Sequence, residues 1–220
     1  MKAYNVFQLT FLVKVIVIKW NRVIEMTKVL KDLQVEEVCD LILKDEVVAF
    51  PTETVYGLGI RYNSPIATKR LIEAKNRDES KFFTLMVAKE EDIEKYAYIS
   101  EDAKKIIDAF MPGDITIIFK AKEGMTNGET IGIRIPDHAY TLNLLEKIGP
   151  MYVTSANLSG CPSANTSDEV LAQLNGRIAA VVEGVSGKKQ ASAVVSMVDG
   201  VKILRDGRIT REMIEEKLGE

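Results

Sequence analysis

The sequence predicts an α/β fold, with one twisted, mixed β-sheet and flanking helices. Three observations lead there. Short apolar, β-branched runs alternate with amphipathic segments of helical period along most of the chain. The strand-like runs outnumber the helical ones and intermingle with them, where separate blocks would point to separate domains. The 220 residues, 46% hydrophobic and 28% charged, suit one large domain with a sizeable core.

The totals narrow the function classes. A net charge of −3 advertises no global basic field for nucleic acid. The two cysteines, Cys39 and Cys161, lack metal-ligand spacing and read as reduced thiols of a cytoplasmic protein. A single histidine, His138, excludes a multi-histidine metal site. Magnesium held by carboxylates and by a phosphate substrate stays open.

The elements follow in order. Val6 to Trp20 is apolar, but Gln8, Thr10 and Lys14 interrupt it. It is too short and too polar to span a bilayer as a helix, so no membrane partner is expected, and its β-branched content suits a strand. Asn21-Arg22-Val23-Ile24 supplies no signal-peptide cleavage site. Residues 1–31 are therefore read as an N-terminal extension, with Met26 as an alternative start, and 32–220 as the domain. Val35, Val38, Cys39, Ile42 and Leu43 lie at helical spacing, opposite Glu36, Glu37, Asp40 and Lys44. Val47 to Phe50 is a short buried strand. Ser64 as N-cap and Pro65 at the first helical position open a helix that runs to Lys75-Asn76-Arg77.

Residues 82–87 read as a strand, and 90–96 and 101–110 as surface helices, the second broken by Pro112-Gly113. Strands at 115–119 and 130–135 flank a Gly-containing turn; 139–148 is a helix and 151–154 a strand. Ser167 is the expected cap of a helix through Leu174. Strands at 178–182, 193–198 and 201–204 precede a final helix from Thr210 to Leu218. There is no internal repeat, low-complexity tract or linker.

The candidate chemistry concentrates at strand ends. Pro51-Thr52-Glu53-Thr54-Val55-Tyr56-Gly57-Leu58-Gly59 follows a strand and is dense in hydroxyls, with one carboxylate and one phenol. Such a loop is either a turn closed by its own hydroxyls or the wall of a small-ligand site. Lys75 and Arg77, at a helix end, either complement the macrodipole or clamp a polyphosphate, the planar fork beside the mobile point charge. No Walker-type loop is present, so side chains would have to hold any nucleotide. Ser155 and Asn157 end a strand two residues apart and, if strand geometry persists, face the same way. Arg134 faces away from Ile131, Ile133 and Ile135, toward solvent or a ligand. His138, Ser192 and Arg205 are ambiguous alone, and Glu53 has no evident role.

The order of these signals is more specific than any one of them. Pro-Thr-Glu-Thr-Val-Tyr-Gly-Leu at 51–58, Lys-x-Arg at 75–77, Pro-Gly-x-x-Thr at 112–116, Ile-Arg-x-Pro-x-His at 133–138, Ser-Ala-Asn-x-Ser-Gly at 155–160, Ser-x-Val-Val at 192–195 and Leu-Arg-x-Gly at 204–207 run in sequence. The chain from about residue 32 to 218 resembles the YrdC-like family of L-threonylcarbamoyladenylate synthases, in their short single-domain form.

The resemblance implies an open, twisted sheet around a cationic cavity. It also implies synthesis of threonylcarbamoyl-AMP and pyrophosphate from L-threonine, bicarbonate and ATP with magnesium, and a separate transferase complex that modifies tRNA. By position, Lys75 and Arg77 resemble the triphosphate clamp and would be the catalytic pair. Thr116, Arg134, Ser155, Asn157, Asn165 and Arg205 resemble further ATP contacts. Thr52, Tyr56, Thr84, His138, Ser155 and Ser192 resemble threonine contacts. Two positions depart from the pattern: Ala193 stands where the family usually has Thr, and Asp78 where it often has Pro. The rival readings are a module that binds RNA directly, and a carbamoyl-transfer domain of larger hydrogenase-maturation proteins. The chain lacks the zinc-finger-like cysteines of the latter.

Overall fold

The computed structural model describes residues 26–126 and 128–219. The expectations for Val6 to Trp20 lie outside the described residues. One sheet organises the rest. Its strands are β1 (Lys28–Leu30), β2 (Val48–Phe50), β3 (Gly57–Arg61), β4 (Thr84–Met86), β5 (Ala97–Tyr98), β6 (Ile115–Ala121), β7 (Thr130–Arg134), β8 (Met151–Ser155), β9 (Ala180–Val182), β10 (Ala193–Ser196) and β11 (Lys202–Arg205). The spatial order is β1-β9-β2-β3-β8-β4-β7-β6-β10-β11, with β5 added beside β6. Parallel pairs (β1 with β9, β4 with β7, β6 with β10) interleave with antiparallel ones (β2 with β3, β3 with β8, β6 with β7). The sheet is therefore mixed, as expected.

The α-helices are α1 (Val35–Leu43), α2 (Pro65–Lys75), α3 (Ile93–Tyr96), α4 (Glu101–Phe110), α5 (Ala139–Ile148), α6 (Ser167–Leu174) and α7 (Arg211–Leu218). Ser64 caps α2 by accepting from the Ala67 N–H, with Pro65 at the first turn. Asn76 ends that helix in the left-handed region, with φ of 49°. This turns the chain back and sends Arg77 away from the helix axis.

Strand periodicity sorts the core onto two faces. On one face Leu85, Ile117, Ile131, Ile133 and Val195 pack against Ile106 and Ile107 of α4 and Ile214 of α7. On the same face Tyr56, Leu58 and Ile60 pack against Leu71 of α2 and Val170 and Leu174 of α6. The other face is covered over only part of its width. There Val48, Phe50, Ala180 and Val182 meet Val38 and Ile42 of α1 and Leu144 and Leu145 of α5. Over β4, β7, β6 and β10 that second face carries Thr84, Gly132, Arg134, Thr116 and Val194, and it is open to a cavity. A sheet with one half-face left uncovered by helices is what positions the site.

Several boundaries differ from the sequence reading. Lys28–Leu30, placed within the extension, forms an edge strand on β9; three residues are too few to show a period. Gly57–Arg61, read as loop, is a strand between β2 and β8, its two glycines masking the signal. Gly59 must be glycine, since a Cβ there would meet the Phe50 ring at 2.4 Å. Residues 90–96 split into a 3₁₀ turn at Glu90–Asp92 and the single turn of α3. The cap of α6 is Thr166, whose hydroxyl accepts from Glu169 N–H, and Ser167 is the first helical residue.

Candidate active site

The Pro51–Tyr56 connection between β2 and β3 is held by its own hydroxyls. Thr52 Oγ1 donates to Val55 O at 2.7 Å and accepts from Thr54 N at 3.2 Å. Thr52 has one hydroxyl hydrogen, and Val55 O takes it. The 3.0 Å contact between the two threonine hydroxyls is therefore donated by Thr54. Thr54 Oγ1 in turn accepts from Arg134 Nη2 at 3.0 Å. A chain of hydrogen bonds thus runs from Arg134 through Thr54 and Thr52 to the backbone.

Tyr56 borders the cavity, and its ring belongs to the apolar cluster on the helix-covered face of the sheet. The phenol is fully buried with Leu58 and Leu71 and donates to Val182 O at 3.0 Å. Burial pushes its pKa up to about 12.

The cavity holds about 310 Å³ and its floor is the open half-face of the sheet. Residues in ladder register set its pattern. Thr84 lies beside Gly132 and Val153. Met86 lies beside Arg134, and Val194 lies between Thr116 and Arg205. Gly132 carries no side chain, so the centre of the floor stays low. Around it stand Arg77, Arg134 and Arg205 with the hydroxyls of Thr84, Thr116, Ser155 and Ser192.

Each cation is oriented by the chain. Arg134 is buried; Nε donates to Gly113 O at 3.1 Å, and Nη2 donates to Glu53 Oε1 at 2.6 Å as well as to Thr54. It is not a solvated face residue. Arg205 donates through Nε to Ser192 O at 2.9 Å and through Nη2 to Ser192 Oγ at 3.2 Å. Ser192 Oγ also lies 3.0 Å from Thr116 Oγ1. Partial burial of the guanidinium and then the charge of Arg134 lower the Arg205 pKa. Arg77 donates from Nη2 to Phe82 O at 2.9 Å and lies over the Phe83 ring, 5.2 Å from its centroid. Burial lowers its pKa.

Four expected site residues are not among this lining. Lys75 is fully buried, and its Nζ donates to the carbonyl oxygens of Ser155 and Asn157. Burial and then the charge of Arg77 bring its pKa down to about 7. Asn157 accepts from Ser155 Oγ at 2.6 Å and donates to Leu158 O and Cys161 O. His138 is half-buried beside Thr141, with Nδ1 and Oγ1 3.3 Å apart. Burial lowers its pKa, opposed by the charges of Glu53 and Asp137. Asn165 sits in the loop after β8, where its carbonyl accepts from Ser186 N at 2.8 Å.

The sequence reading left out Glu53, Thr54 and the segment from Glu183 to Ala191. Gly187, Lys188 and Lys189 donate backbone hydrogen bonds to Thr52 O, Glu53 O and Thr54 O in turn. Lys188 Nζ also reaches Asp114 at 2.9 Å. The signal that could have found Glu53 was Arg134 itself. A buried arginine needs an acid partner, and Glu53 is the carboxylate of the neighbouring motif.

Among the described residues no three His, Cys, Asp or Glu side chains gather as a metal cage. The donor set of hydroxyls and guanidinium groups fits magnesium only as an ion carried on substrate phosphates.

A twisted mixed sheet, with an open half-face lined by oriented arginines and hydroxyls, defines an α/β protein built to hold a small polyanion. The sequence comparisons agree and are more specific. The Sua5-YciO-YrdC family model, described as telomere recombination, matches residues 40–207, and the chain belongs to that family. It is 39% identical over 198 residues to the threonylcarbamoyl-AMP synthase of Bacillus subtilis, across 86% of this chain and 57% of that protein. It is 35% identical over 190 residues to a putative threonylcarbamoyl-AMP synthase of Methanocaldococcus jannaschii, across 84% of this chain and 88% of that one. The crystal structure of P. abyssi Sua5 complexed with L-threonine superposes with a TM-score of 0.82 at 29% identity, over 89% of this chain and 62% of that one. The chain thus spans less than two thirds of the Bacillus and Pyrococcus proteins. Among the described residues no helix is long and apolar enough to cross a membrane.

Proposed function

We propose that the chain is an L-threonylcarbamoyladenylate synthase, a nucleotidyltransferase that forms threonylcarbamoyl-AMP and pyrophosphate from L-threonine, bicarbonate and ATP. The observation that carries this reading is the convergence of Arg77, Arg134 and Arg205 with the hydroxyls of Thr84, Thr116, Ser155 and Ser192 on one cavity. The names of the relatives support it.

In this reading the amine of threonine adds to carbon dioxide with loss of a proton, or to bicarbonate with loss of water, to give a carbamate. A carbamate oxygen attacks the α-phosphorus of ATP, and pyrophosphate leaves. Nucleophile and phosphate are both anionic, so the barrier is largely electrostatic, and prearranged cations lower it. Arg77, Arg134 and Arg205 supply that field. Magnesium, if carried in on the substrate phosphates, would neutralise further charge. Lys75 orders the Ser155–Asn157 segment between the two substrates. The product is consumed by a cytoplasmic transferase complex that acts on tRNA. The RNA-binding reading is weaker, because these arginines line a cavity and form no extended basic stripe.

The test is to incubate the protein with ATP, magnesium, bicarbonate and each amino acid in turn, and to measure pyrophosphate. Threonine-specific, bicarbonate-dependent release supports the reading. Equal release without bicarbonate assigns an ordinary aminoacyl adenylate instead.

A further inference from the structure

We propose that Glu53 is a positioning residue: it acts through Arg134 to aim that guanidinium at the nucleotide. The inference rests on the reading that the cavity takes ATP. Both partners are nearly shut off from solvent, with side-chain exposures of 7% for Glu53 and 6% for Arg134. Glu53 Oε1 accepts from Arg134 Nη2 at 2.6 Å and from Asp137 N at 2.9 Å. With Thr54 Oγ1 on the same Nη2 and Gly113 O on Nε, three acceptors fix two nitrogens of a planar group. A planar fork held at two nitrogens has no rotational freedom left. Arg134 lines the cavity, and among the described residues its Nη1 has no protein hydrogen-bond partner. That edge is what remains for a phosphate oxygen.

Glu53 also fixes the frame around the arginine. Its bond to Asp137 N ties the Thr52–Tyr56 loop to the residue before His138. Its backbone oxygen takes Lys188 N at 2.7 Å. Oε2 is buried with no hydrogen-bond partner. This asymmetry supplies a clean substitution. In Glu53→Gln the amide oxygen can take the place of Oε1 and keep both accepted bonds, while the NH₂ takes the place of Oε2, where no bond is lost. That variant removes charge and preserves aim; Glu53→Ala removes both.

The experiment is ATP binding by calorimetry on the full chain with magnesium, for wild type, Glu53→Ala, Glu53→Gln, Arg134→Ala and the Ala/Ala double variant. Glu53→Ala is expected to weaken ATP binding about tenfold or more, the scale of a charge-assisted hydrogen bond. Glu53→Gln should recover most of that loss. The double variant should bind within about twofold of Arg134→Ala alone, since residues acting through one another are non-additive. A folded Glu53→Ala with wild-type affinity, no recovery by Gln, or fully additive losses would overturn the inference. If Glu53→Ala does not fold, Glu53→Asp replaces it. Its carboxylate is drawn back by one methylene, and the same loss is expected; wild-type affinity there overturns the inference too. A wild-type chain that fails to bind ATP sinks both this inference and the function it rests on. Normal wild-type binding with an indifferent Glu53 sinks this inference alone.

Discussion

Lys75 Nζ donates to the carbonyl oxygen of Asn157 at 2.7 Å, from the last turn of α2 to the loop after β8. A lysine that the sequence offers as a free phosphate ligand is thus the peg for the strand end that carries Ser155. Burial, and then the neighbouring charge of Arg77, lower its pKa from 10.5 to about 7. The sign of the pH effect follows. Between pH 7 and 10.5 the unfolded chain holds the proton that the folded chain has released, so this group makes stability rise with pH across that window. Its contribution to the slope is at most about 1.4 kcal/mol per pH unit. Urea unfolding of wild type and Lys75→Met at pH 7, 8 and 9 should show a shallower rise in the variant. Equal slopes would mean that Lys75 keeps its proton throughout.

Arg77 reaches the cavity directly, held by Phe82 O and the Phe83 ring. Arg77→Ala should lower kcat/KM for pyrophosphate formation by about tenfold to a thousandfold, the scale seen when one transition-state donor is removed. Arg77→Lys should recover little, because an ammonium reproduces neither the fork nor the stacking. Lys75→Ala should also lose activity; undiminished adenylate synthesis by it would show that the order Lys75 gives the Ser155–Asn157 segment is not needed for the reaction.

Much of this architecture was legible from periodicity. Ile131, Ile133 and Ile135 alternate with Gly132 and Arg134, and that alternation alone puts Arg134 on the face opposite the core. What it could not show is that this opposite face is only half covered. That depends on how far α1 and α5 extend over the sheet, which is a tertiary fact. Gly57 and Gly59 hid β3 because glycine has low strand propensity, and here the close approach of the Phe50 ring demands it. Thr52 lines the cavity, and its hydroxyl also closes the turn through its bonds to Thr54 and Val55, a second role that a hydroxyl in a sequence does not reveal. Glu53 was opaque because its partner lies 81 positions away.

Tyr56 offers a test of that division between scaffold and site. Its hydroxyl donates to the backbone carbonyl of Val182, with the Ser167 side chain also in hydrogen-bonding reach. Tyr56→Phe should cost about 1 kcal/mol of stability, the ordinary net worth of a buried hydrogen bond. Thermal unfolding checks this. The KM for threonine should not move; a rise of tenfold or more would return the phenol to the substrate pocket.

Gly187 sets how closely the Glu183–Ala191 segment can lie on the motif. Its N–H bonds to Thr52 O at 3.0 Å, and Lys188 and Lys189 continue the same ladder onto Glu53 and Thr54. A Cβ at Gly187 would sit 2.6 Å from Glu53 O, a backbone atom that cannot swing aside. In Gly187→Ala the segment must lift or the Thr52–Thr54 backbone must move, and either shift disturbs the carboxylate that holds Arg134. The segment is peripheral to the three core clusters, so global stability should fall by no more than about 1–2 kcal/mol. The ATP KM, by contrast, should rise by about tenfold, as expected when the grip on a charged contact loosens. Paired measurements of the urea midpoint and the ATP KM separate the two effects. An unchanged KM with lowered stability would show that the segment only covers the motif and does not govern its geometry.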